Sequence, residues 1–167
     1  MYLDFWRENV KNNDIIRRVR YALDIKDNVM VNIFKDGGCD VTREEVINIL
    51  KREEDEGFLK CNNKMLEAFL DGLIIFKRGR QEPKPGQVVE PVKINKNNIN
   101  NIILKKLKIA LSFKSDDMIN ILGLAGVKIS PSELSALFRK EDHKNYRECG
   151  DRYVRNFLKG LALYYRG

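Results

Sequence analysis

The amino-acid sequence predicts an all-α protein in which one four-helix unit occurs twice in tandem. Shifting the sequence by 88 positions places residues 12–79 over residues 100–167 without a gap, and 19 positions are identical. Both copies carry a Ser/Thr-x-x-Glu capping box at the same place, beginning at Thr42 and Ser130. No segment shows the sustained alternation of apolar and polar residues that marks a strand. A duplicated helical fold follows.

The helical units are flanked by two segments of different composition. Residues 1–11 form an N-terminal extension without a counterpart in the second copy, and residues 12–79 form the first repeat. Residues 80–92 contain three of the four prolines, which predicts an extended linker before the second repeat at residues 93–167. The only tryptophan, Trp6, lies in the extension, where we expect a short helix that docks its aromatic rings.

Apolar spacing predicts four helices in each unit. In the first copy an apolar stripe from Ile15 to Leu23 predicts the first helix, and a second helix should stop near Gly38. The third helix should begin after the cap at Thr42, and the fourth should end near Gly79. The second copy repeats this pattern, so each boundary is predicted twice.

Two glycines lie inside the predicted fourth helices, Gly72 and Gly160. Glycine within a helix costs about 1 kcal/mol relative to alanine. We expect another helix backbone to approach closely at these positions, and packing between the two units is one way to provide it.

Composition indicates a folded cytoplasmic protein. The chain is 43% hydrophobic and 33% charged, in the range of globular proteins. Its three cysteines form no CxxC pair, which favours free thiols and a reducing compartment. The charged residues within the first ten positions argue against a signal peptide, and no stretch approaches the roughly 20 apolar residues of a membrane span.

The excess positive charge lies entirely in the second repeat. Residues 1–79 carry a net charge of −1 and residues 93–167 a net charge of +8. Such asymmetry favours an anionic partner such as RNA or DNA, although a basic surface also favours solubility. The candidate nucleic-acid-binding residues of the second repeat are Lys105, Lys106, Lys108, Arg139, Lys140 and Arg147.

The polar segment between the third and fourth helices of each unit is the other candidate site. Both copies keep an acid, an aromatic residue and a cysteine in register. The motif residues are Glu53, Phe58 and Cys61 in the first copy and Glu141, His143, Tyr146 and Cys149 in the second. They predict either a pair of binding loops or, as we favour, an architectural element in which the aromatic residues and cysteines fill the core.

The sequence contains no catalytic or metal-binding constellation. His143 is the only histidine, and Asp55 occupies its position in the first copy. A zinc site would need more soft ligands, and a Cys-His pair would need an exposed Cys149. No phosphate-binding glycine loop, Gly-x-Ser-x-Gly elbow or HExxH motif occurs. We therefore expect a protein that is not an enzyme and uses no cofactor or metal.

Residues 69–74 (FLDGLI) and 140–151 (KEDHKNYRECGD), within the wider span from residue 12 to residue 167, resemble the YehS-like family of small bacterial proteins. That family is a duplicated domain of unknown function (DUF1456). The resemblance implies a bacterial cytosolic protein and implies no activity or catalytic residues.

These observations give two functional hypotheses. The first is a non-enzymatic binding module whose basic second repeat contacts nucleic-acid phosphates. The alternative is a protein-interaction adaptor or a homodimer, in which the partner is an acidic protein or a second copy of the chain. Steep salt dependence of binding would favour the first.

Overall fold

The computed structural model describes residues 11–80, 82, 84–86 and 92–167. Within these ranges the chain forms eight α-helices and no strand, so the all-α prediction is confirmed. The helices are α1 (Asn12–Leu23), α2 (Asp27–Asp36), α3 (Arg43–Ile49), α4 (Asn63–Arg78), α5 (Ile99–Ala110), α6 (Ser115–Leu124), α7 (Pro131–Leu137) and α8 (Asp151–Arg166). The expected N-terminal helix and part of the connector lie outside the described residues.

The two capping boxes form as the sequence predicts. The Thr42 hydroxyl accepts a hydrogen bond from the backbone N–H of Glu45 at 3.0 Å, and Ser130 accepts one from Glu133 at 3.1 Å. Each glutamate in turn accepts from the backbone N–H of its cap residue. These bonds satisfy donors that a helix start leaves free, which explains why α3 and α7 begin where they do.

Within each unit the second and fourth helices pack so closely that their contact excludes a side chain. A Cβ atom on Gly72 would lie 1.7 Å from the carbonyl oxygen of Ile33, and one on Gly160 would lie 2.1 Å from that of Ile121. The predicted backbone approach is confirmed. The approaching backbone belongs to the second helix of the same unit, so the alternative in which these glycines pack between the two units is wrong.

The two units pack against each other reciprocally. Helix α1 of the first unit lies on α8 of the second, and α4 of the first lies on α5 of the second. Buried side chains from both units, including Phe69 and Phe157, belong to one continuous core. The duplicated halves therefore form a single folded body.

The first and fourth helices of both units begin at the same end of the molecule. In each unit the starts of these helices meet, where Asn12 donates to Asn63 at 2.9 Å and Asn100 donates to Asp151 at 2.7 Å. At the other end, Arg166 of α8 lies 3.5 Å from Asp24 at the end of α1. The polar loops therefore lie at one end of the molecule and the ends of α1, α5 and α8 at the other.

Candidate functional site

A buried asparagine holds the polar loop of the first unit. The Asn13 side chain donates to the carbonyl oxygens of Ile49 and Leu59, both at 2.9 Å, and accepts from the backbone N–H of Cys61 at 2.9 Å. Asn13 is 5% exposed, so these three bonds are made away from solvent. They join α1 to the end of α3 and to two points of the loop.

The second unit repeats this arrangement. Asn101 donates to the carbonyl oxygens of Leu137 and Arg147 at 2.8 Å and accepts from the N–H of Cys149 at 2.9 Å. Buried backbone polar groups need partners, and one side-chain amide supplies three of them here. The sequence shows both asparagines as repeated positions, but their roles depend on contacts more than 30 residues away.

The loop cysteines lie in the core. Cys61 is 1% exposed and Cys149 is 2% exposed. Burial raises the pKa of each thiol from 9.0 to about 12. The thiolate that nucleophilic attack or metal binding requires is therefore disfavoured. This agrees with the architectural interpretation of the loop.

The loop glutamates tie each loop to the segment that begins its unit. Glu53 pairs with Lys11, the residue before α1, and the hydrogen bond to Lys11 lowers the pKa of the Glu53 carboxyl. Glu141 accepts a hydrogen bond from the Asn98 side chain at 3.4 Å, just before α5. Both acids thus connect a loop to the start of a first helix.

The other motif residues share no common site. Phe58 and Tyr146 are half-buried, and burial followed by the charge of Glu141 raises the pKa of the Tyr146 phenol. His143 is exposed, and its Nδ1 atom accepts a hydrogen bond from the backbone N–H of Asn145 at 3.0 Å. Among the described residues no three His, Cys, Asp or Glu side chains could hold a metal ion. None of the described helices is long and apolar enough to cross a membrane.

Five of the six basic candidates surround the junction of α5, α7 and the second polar loop. We call this group the basic surface; it consists of Lys105, Lys108, Arg139, Lys140 and Arg147. The Lys108 amine lies 5.8 Å from the ring centroid of Phe138, the residue that caps α7 and precedes Arg139. Lys105 lies one turn of α5 beyond Asn101, which bonds to the carbonyl of Arg147.

The first unit shows how closely these positions approach one another. Arg17 corresponds to Lys105, and its guanidinium donates at 2.9 Å to the carbonyl of Lys51, which corresponds to Arg139. A cation at position 105 is therefore within reach of the backbone that carries Arg139. In the second unit Lys105, Arg139, Lys140 and Arg147 are exposed.

The two units differ in the acids that accompany these cations. In the first unit Arg17 pairs with Asp14, and Arg20, the counterpart of Lys108, lies 3.8 Å from Asp27. At the positions of these two aspartates the second unit has Ile102 and Ser115. Among the described residues neither Lys105 nor Lys108 forms an ion pair.

Lys106 differs from the other basic candidates because its charge is paired with carboxylates of the first unit. Its amine contacts Asp71 of α4 and lies 3.9 Å from Glu67 on the same helix. The ion pair joins the two units, and its charge is offset by two carboxylates. The sequence could not show this because the partners belong to the other repeat, 35 or more residues away.

A group of aromatic side chains at the ends of α5 and α8 was not predicted from the sequence. The Phe113 ring, just after α5, meets the Tyr164 ring edge-on at a centroid distance of 5.9 Å, and Tyr164 meets Tyr165 at 4.9 Å. Tyr164 and Tyr165 are 50% and 43% exposed. The sequence feature that could have indicated this group is a difference between the copies, because the first unit has isoleucine, phenylalanine and lysine at these positions.

The fold and these sites define a tandemly duplicated, all-helical protein whose two repeats share a core and differ in surface charge. A family model described as a protein of unknown function (DUF1456) matches residues 12–79 and again residues 100–167. The chain is 45% identical over 152 residues to the uncharacterized protein YehS of Escherichia coli (strain K12), covering 90% of this chain and 94% of that protein. The chain therefore belongs to the DUF1456 family, as its sequence motifs imply. No solved structure matches it.

Proposed function

We propose that this protein is a non-enzymatic binding module whose basic surface contacts the phosphates of a nucleic acid. The observation that carries the proposal is the difference between the repeats at equivalent positions. Asp14 and Asp27 accompany the cations of the first unit, whereas Ile102 and Ser115 leave Lys105 and Lys108 without a carboxylate partner among the described residues.

Charge arrangement and rigidity both support this proposal. Phosphate binding needs exposed cations, and most protein–DNA hydrogen bonds go to phosphate and sugar. The basic surface supplies lysines from a helix and cations from a loop that Asn101 holds in place. Such a surface recognises the negative charge of a nucleic-acid backbone.

The experiment compares two double variants with the same change in net charge. Lys105→Glu/Lys108→Glu reverses two charges of the basic surface. The control, Lys35→Glu/Lys64→Glu, reverses two exposed lysines of the first unit. Binding to a fluorescent oligonucleotide is measured by anisotropy in low salt, after circular dichroism has shown that both variants fold.

We expect the first double variant to bind about tenfold more weakly or worse, because it loses phosphate contacts and gains repulsion. The control should stay close to the wild type. Equal losses in the two variants would mean that net charge alone drives binding and would contradict the proposal. Absence of binding by the wild type, together with self-association in sedimentation, would favour the homodimer instead.

A further inference from the structure

The aromatic group formed by Phe113, Tyr164 and Tyr165 lies next to Lys108, the last cation of the basic surface on α5. The backbone N–H of Phe113 donates to the carbonyl oxygen of Lys108 at 3.0 Å, so the aromatic group begins where the cations of α5 end. From Phe113 the rings continue to Tyr164 and Tyr165 on α8. Arg166 follows, and its guanidinium lies 4.5 Å from the ring centroid of Tyr21. Lys108 of the basic surface and the aromatic group are thus adjacent at the end of α5.

The tyrosines at this end do not belong to the core. Tyr164 and Tyr165 are 50% and 43% exposed, whereas Phe113 is half-buried and packs against the core. The counterparts of Phe113 and Tyr165 in the first unit are Ile25, which is 6% exposed, and Lys77. Phe76, the counterpart of Tyr164, is itself aromatic and exposed, so the second unit has two more aromatic residues than the first at these three positions.

We propose that the nucleic acid bound by this protein is single-stranded, with unpaired bases stacked on Phe113, Tyr164 and Tyr165 while the basic surface holds its phosphates. This inference rests on the proposed function. Proteins that bind single strands combine a cationic path for the backbone with aromatic side chains for the bases. A duplex keeps its bases stacked on one another, so exposed rings give it no comparable advantage.

The test measures the affinity of the full chain for an RNA and a DNA single strand of about 12 nucleotides and the same sequence, and for the matching DNA duplex. Tyr164→Ala/Tyr165→Ala removes both exposed rings, and Tyr164→Phe/Tyr165→Phe keeps them. Phe76→Ala is the matched control, because Phe76 is the exposed counterpart of Tyr164 in the first unit.

We expect the wild type to prefer either single strand to the duplex. The alanine double variant should lose about 5- to 150-fold in single-strand affinity for each stacked base, with no change in duplex affinity. The phenylalanine double variant and Phe76→Ala should bind like the wild type. Ultraviolet cross-linking to the RNA should label the tryptic peptides 160–166 and 109–114, which contain the three aromatic residues.

The failure of this inference is distinguishable from failure of the proposed function. If Tyr164→Ala/Tyr165→Ala binds single strands like the wild type while Lys105→Glu/Lys108→Glu does not, the stacking inference is wrong and the phosphate contacts stand. If neither strand type binds the wild type, both proposals are wrong. If the alanine variant instead abolishes self-association without changing nucleic-acid affinity, the aromatic group is a protein interface.

Discussion

Removing the amide of Asn13 should destabilise the protein far more than removing that of an exposed asparagine. Asn13→Ala deletes two bonds to the carbonyls of Ile49 and Leu59 and one from the N–H of Cys61. A buried hydrogen bond contributes about 1 kcal/mol net, and a buried group left without a partner costs about 1–3 kcal/mol. With three groups affected, we expect the free energy of unfolding to fall by about 3–5 kcal/mol.

Urea denaturation, monitored by the circular dichroism signal of the helices, measures this change. The Asn101→Ala variant should lose a similar amount, because Asn101 makes the same three bonds in the second unit. The control is Asn32→Ala, an exposed asparagine of α2, which should change stability by less than about 0.5 kcal/mol. If both buried asparagines could be replaced at a cost below about 1 kcal/mol, the loops would not depend on them and the reasoning would be refuted.

Three further predictions concern close packing and buried thiols. Gly72→Ala should cost about 3 kcal/mol or more in thermal or urea unfolding because its Cβ would collide with the Ile33 carbonyl, whereas Gly123→Ala, with open space around it, should be neutral or stabilising. A thiol reagent at pH 8 should modify only the half-buried Cys39 of the native protein; rapid native reaction of all three cysteines would contradict the burial of the other two. Burial raises the pKa of Cys61 and Cys149 to about 12, so the contribution of these thiols to stability is fully present below about pH 9 and is lost as the pH rises towards 12. The free energy of unfolding should therefore fall across that range, and it should fall less in a Cys61→Ala/Cys149→Ala variant.

The repeated sequence predicted the fold because its signals are local. Capping boxes, apolar stripes and helix-ending glycines act within a few residues, and each occurs in both copies. Gly72 also predicted a close backbone contact, because glycine within a helix lowers stability and a close neighbour can explain its presence there. The identity of that neighbour depended on tertiary packing, which no local pattern contains.

The candidate site was only partly predictable for the same reason. Lys105 and Lys108 were predicted from charge, and the structure places Lys108 beside Phe138, the residue before Arg139. Lys106 is also a lysine of α5, but it lies on the face of that helix that meets the carboxylates of α4. The aromatic group was not predictable because Phe113 and Tyr164 are about 50 residues apart and meet only in the folded chain.

The most direct test of the central claim is the salt dependence of nucleic-acid affinity for the wild type and for Lys105→Glu/Lys108→Glu. Each phosphate contact contributes about 0.7 to the slope of log affinity against log salt for a single strand and about 0.9 for a duplex. We therefore expect the wild type to lose affinity steeply between low and physiological salt. The double variant should show a slope smaller by about 1.5, equivalent to two lost contacts. An unchanged slope in the variant would contradict the assignment of phosphate binding to this surface.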